Sequence, residues 1–134
     1  MELNPTSPEI SVILFSVSSS RSHALLIRKP LPYEQLIYRT NIGLEVDTYW
    51  AFVGMKNPIA LLERIKDRIN FIHIKDGFED GKGMPLGNGV APVKDVYAWA
   101  KGNGKLMVVE SETCTPDGLT EVKICIDCLH SLEK

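Results

Sequence analysis

Three short stretches of this chain each carry an apolar run into a residue that can bind a cation or move a proton. "IGLEVD" (42–47) ends at Asp47, "NFIHIKD" (70–76) delivers His73, Lys75 and Asp76, and "KLMVVES" (105–111) presents Glu110, with Glu112 just beyond. Carboxylate and imidazole donors together suit a divalent ion such as Mn²⁺, Mg²⁺, Co²⁺ or Zn²⁺. A carboxylate in such a site can also take a proton from carbon. If the three runs are strands, side chains alternate between faces. Asp47 then shares its face with Glu45, His73 with Phe71 and Lys75, and Glu110 with Val108 and Glu112. Each residue has a plainer role open to it: an Asp caps a turn, a His packs, a Glu is solvated. The coincidence of an acid, a histidine and an acid at three strand ends favours one shared metal site.

The elements that must position these residues alternate regularly from about residue 41. "NPIALLERIKDR" (57–68) has Asn57 as N-cap, Pro58 at the first helical position and Leu61, Leu62 and Ile65 as a buried stripe. "PVKDVYAWAKGNG" (92–104) places Val93, Val96, Tyr97 and Ala100 at helical spacing and stops at Gly102 or Gly104. "TPDGLTEVKICIDCLHSLEK" gives a third helix, with Thr115 as cap and Leu119, Val122, Cys125, Ile126, Leu129 and Leu132 on one face. Strands alternating with helices imply βαβ crossovers and a parallel sheet, an α/β fold. Ligands gather at the carboxyl ends of such strands. At the front, "EISVILFSV" (9–17) fits a strand and "LPYEQLIYR" (31–39) a short helix. "SSSRSHALLIRK" between them has no clean period, so residues 1–40 are an atypical front end to about four βα units. The glycines of "GFEDGKGMPLGNG" (77–89) let that loop bend over the rim.

At 134 residues the chain is a single domain, and 44% hydrophobic with 24% charged residues is the balance of a globular protein. A net charge of −2 with mixed signs offers no basic footprint for nucleic acid or an anionic membrane. No apolar run approaches the roughly 20 residues that span a bilayer. "ISVILFSV" is preceded by acids rather than Lys or Arg, which favours a strand over an export signal. Cys125 and Cys128 form a C-x-x-C, but no second ligand pair accompanies them and Cys114 makes the number odd. They read as packing residues in a reducing cytoplasm.

"NIGLEVDTYWAFVGMKNPIALLERIKDRINFIHIKDG", then "LGNGV" and "MVVESE", resembles the C-terminal half of the sugar phosphate isomerase/epimerase family. These are TIM barrels of the xylose-isomerase-like superfamily, which also contains endonuclease IV. "GLEVDTYW" and "HIKDG" are the most specific parts, and the likeness covers about residues 41–134. It implies metal ligands Asp47, His73 and Glu110 from the sixth, seventh and eighth barrel strands, with Glu110 also a catalytic base. It implies that Lys75 and Asp76 contact the substrate, a sugar or sugar phosphate, or support those that do. Trp50 falls where the family has an aromatic beside the sugar pocket; packing beneath the rim is the equal alternative.

The front departs from the family. The acid expected from the fifth strand has no counterpart between Glu9 and Glu34, where His23 is the one conceivable ligand. A full barrel needs about 250 residues, about twice this length. Four parallel strands do not close on themselves, so a homo-oligomer covering the open half-barrel is expected. The family's chemistry is metal-assisted proton transfer next to a sugar carbonyl. With one acid missing, catalysis by this chain alone is expected to be weak or absent. A non-catalytic remnant that keeps the fold is the alternative. An endonuclease-IV-like repair enzyme would need more histidines than His23, His73 and His130, and a basic face.

Overall fold

The computed structural model describes residues 13–15, 37–55, 57–111 and 113–134. His23, Glu112, most of the front strand and all but the end of the 31–39 helix lie outside them; residues 37–39 are helical. A parallel sheet runs in the order β1 (Ile13–Phe15), β2 (Leu44–Asp47), β3 (Ile69–Ile74), β6 (Leu106–Val109). A second, antiparallel ribbon pairs β4 (Asp76–Gly77) with β5 (Gly83–Met84). The helices are α1 (Thr48–Met55), α2 (Pro58–Ile65), α3 (Val93–Gly102) and α4 (Gly118–Leu132). Among the described residues no helix is long and apolar enough to cross a membrane.

One face of the sheet makes the core. Leu44, Val46, Ile72 and Ile74 pack with Leu62 and Ile65 of α2, Val93, Val96, Tyr97, Trp99 and Ala100 of α3, and Cys125 of α4. Asn57 caps α2 by accepting the Ala60 N–H (3.1 Å), with Pro58 following, as its sequence requires. α3 ends at Gly102, and Gly104, at φ +62°, turns the chain into β6. Arg68 donates to the carbonyls of Ile37 and Ile42, which ties the segment ahead of β2 to the turn ahead of β3.

Register decides which residues reach the rim together. Leu44 pairs with Ile69, but the next pair is Glu45 with Phe71, because the ladder slips by one residue at Asn70. A single-residue slip exchanges the two faces of a strand from that point onward. Here it brings His73 opposite Asp47, and His73 in turn lies opposite Val108 of β6. Without the slip Asp47 would stand opposite Ile72, and the histidine would point into the core.

Two sequence expectations differ from the structure, and one helix was not foreseen. Thr48–Met55, which has no clean period, is a helix; its residues are apolar nearly all round, so no stripe announced it. Asp117, rather than Thr115, caps α4 by accepting the Thr120 N–H (3.0 Å). Thr115 precedes a cis peptide bond and donates its N–H to Glu121 instead. On α4, Leu119, Val122 and Ile126 are exposed, while Glu121 and Cys125 are buried and Cys128, Leu129 and Leu132 are partly buried. The helix is rotated so that its 121/125/128/129/132 face meets the core.

Candidate metal centre

Asp47 is the last residue of β2, and the chain turns at once into α1. Its Oδ1 accepts the Trp50 N–H (2.9 Å), so the carboxylate caps the helix while standing at the rim. Thr48 donates its hydroxyl to the His73 carbonyl (2.8 Å) and ties the start of α1 to the end of β3. Burial pushes the Asp47 carboxyl above its ordinary range; the Trp50 N–H, Lys75 and His73 pull it back, and the Glu110 charge adds to the rise.

His73, near the end of β3, lies between two acids. Nδ1 is 2.6 Å from Glu110 Oε2 and Nε2 is 2.9 Å from Glu45 Oε1. Glu110 follows β6 directly, and its N–H bonds the Ile74 carbonyl (3.2 Å), which extends the ladder by one rung. One ligand atom from each of Asp47, His73 and Glu110 lies within 4.8 Å of the others, all three side chains being half-buried. Two carboxylates and an imidazole converging at that spacing fit a divalent cation. The three residues singled out as ligands in the sequence are therefore neighbours in space.

Lys75 is buried, with its Nζ 3.9 Å from Glu110 Oε1. The ammonium also lies 5.5 Å from the Trp50 ring centroid and 5.9 Å from that of Tyr49, within cation–π range. Trp50 is half-buried and borders the loop over the rim, its ring edge about 3.6 Å from where a Cβ on Gly81 would stand. Both residues thus adjoin the three candidate ligands.

Asp76 stands next in the chain but is committed elsewhere. Its Oδ1 accepts the N–H groups of Gly77 and Ala91, and its Oδ2 those of Gly87 and Gly89. Four backbone donors on one buried carboxylate make it the anchor of the 77–91 loop. At Gly89 an added Cβ would stand 2.2 Å from Asp76 Oδ1, so only glycine allows this approach.

Two acids were not singled out in the sequence. Glu45, buried beneath Asp47, holds His73 Nε2. Glu121, also buried, accepts from the Ser111 and Thr113 hydroxyls and the Thr115 N–H, and so closes the loop after Glu110. The signal for Glu45 was its period-two relation to Asp47; for Glu121 it was an acid on the core side of an amphipathic helix. Cys125 and Cys128 are free, and burial pushes both thiols up. Cys125 Sγ accepts the Leu86 N–H (3.4 Å), a packing role.

No protein-family model matches the chain, and a search of curated proteins returns no match.

Proposed function

We propose that the chain is a sugar phosphate isomerase/epimerase-like protein, built as the C-terminal half of a TIM barrel, that promotes metal-assisted proton transfer next to a sugar carbonyl. The observation that carries this reading is the convergence of Asp47, His73 and Glu110 from the ends of three adjacent parallel strands. The half-barrel is supported by the strand order, in which successive sheet neighbours follow chain order in one direction. A doubly wound sheet reverses that order partway.

Asp47, His73 and Glu110 would hold a divalent cation, which would supply Lewis-acid polarisation of a substrate carbonyl oxygen. The chain's own residues do the rest. Lys75, buried beside the rim, faces a substrate oxygen on which negative charge develops. Trp50 gives the sugar an apolar surface. Glu110 Oε1, on the Lys75 side, receives the proton from the carbon next to the carbonyl. Removal and return on one face need one acid; inversion needs another on the opposite face.

The test combines calorimetric titration with Mn²⁺ and Zn²⁺ and proton NMR of a panel of ketoses and ketose phosphates in deuterated water. One cation per chain is expected, lost in His73→Gln. Metal-dependent deuterium incorporation next to the carbonyl is expected to fall at least about 100-fold in Glu110→Gln, the usual contribution of a positioned base. Full epimerisation by this chain alone is not expected. A wild-type chain that binds no cation, or that exchanges equally well in Glu110→Gln, overturns the reading.

A further inference from the structure

Glu45 does work at this site that differs from that of the three converging residues. It lies two residues before Asp47 on β2, hence on the same face and about 7 Å deeper at a strand's rise. Its side chain is only 5% exposed, and Oε1 sits 2.9 Å from His73 Nε2. It stands across the imidazole from Glu110, which meets Nδ1 at 2.6 Å. The two nitrogens of one ring point away from each other, so an ion bound at Nδ1 beside Asp47 and Glu110 is out of Glu45's reach. A carboxylate only accepts, so the contact requires a proton on Nε2. Glu110, at 2.6 Å, makes the same demand on Nδ1 while no cation is bound; a cation at Nδ1 would take the place of that proton alone and leave Nε2–H on Glu45.

We infer that Glu45 is a positioning residue, which holds the His73 ring with Nε2 protonated and so presents Nδ1 to the cation. The inference rests on the metal-site reading and gives Glu45 a role outside the ligand set. Metal-bound histidines in general donate their other N–H to a carboxylate or carbonyl, and loss of that partner costs about 10- to 100-fold in metal affinity. Glu45 also needs the contact for itself, since a buried carboxylate is costly without a donor.

The experiment is ¹⁵N NMR of the ring, assigned with His73→Gln, on the metal-free chain and on the chain loaded with ¹¹³Cd²⁺. Wild type is expected to show a protonated Nε2 without metal and cadmium coupling to Nδ1 with it. Glu45→Gln keeps an acceptor and is expected to retain both signatures, with cadmium affinity close to wild type. Glu45→Ala and the space-filling Glu45→Met lack the acceptor. In both, the ring is expected to lose the Nε2 proton and keep the one on Nδ1, where Glu110 accepts it, and cadmium affinity is expected to fall about 10- to 100-fold. The two variants separate loss of the acceptor from a cavity, and circular dichroism checks their folding. Unchanged ring shifts in Glu45→Met would overturn the inference. If wild type binds no cation, the metal reading fails on its own, and the metal-free ring shifts still decide for or against Glu45.

Discussion

Asp47 serves two masters, the helix it caps and the site it faces, and the price is legible in its protonation. Its folded-state carboxyl titrates above the ordinary 3.8 because burial disfavours the charge. The folded chain therefore holds this proton more tightly than the unfolded chain, and stability falls as pH rises from 3.8 through the folded value. At neutral pH the ionised Asp47 is a net cost to the metal-free protein. Asp47→Asn keeps an oxygen for the Trp50 N–H and removes the charge. The metal-free variant is expected to unfold a few degrees above wild type at neutral pH. That advantage should shrink as pH is lowered through the folded value and vanish below 3.8, where Asp47 is protonated in both states. Cation binding should be lost in the same variant. Thermal unfolding across a pH series, with a titration of each protein, measures both, and equal midpoints at neutral pH would refute the account.

At the level of elements, the Asp76 carboxylate holds the 77–91 loop at the rim. Asp76→Asn retains one acceptor oxygen and leaves two of the four N–H groups without a partner. At about 1–3 kcal/mol for a fully buried donor, and less for the partly buried ones here, the variant should lose roughly 2–4 kcal/mol in urea unfolding. A loss below 1 kcal/mol, about the usual net value of a single hydrogen bond, would mean that water replaces the carboxylate. What the sequence revealed of these elements follows from which signals are local. The cap and proline of α2 and the strand ends at Asp47 and His73 are written in adjacent residues, and they were legible. The rotation of α4 was not: Leu119, Val122 and Ile126 obey the same helical period as the buried face, and only the position of the sheet decides between them. The slip at Asn70 was equally hidden, because alternation within one strand carries no information about its partner. Asp76 looked like a site residue by position, and its four N–H partners come from up to 15 residues further along.

Across the whole molecule, apolar side chains remain exposed: Leu106, Val108 and Val109 on β6, and Leu119, Val122 and Ile126 on α4. Exposed apolar surface of this kind favours association. The chain is expected to form a homo-oligomer at micromolar concentration in sedimentation velocity, and Val122→Glu with Ile126→Lys on α4 should shift it toward monomer. A wild-type chain that stays monomeric at hundreds of micromolar would exclude this. The same strand, β6, ends the sheet order and delivers Glu110. A terminal strand frays more readily than a central one. On the proposed metal-site reading, a cation would therefore meet a complete set of ligands only during the fraction of time that β6 is docked, and its apparent affinity would be scaled by that fraction. Whatever covers the strand raises the fraction, and by reciprocity the cation strengthens the covering. If the chain binds a cation and self-associates as proposed, cation affinity and protein concentration are expected to be coupled variables, and a dissociation constant would have meaning only beside the concentration at which it was measured.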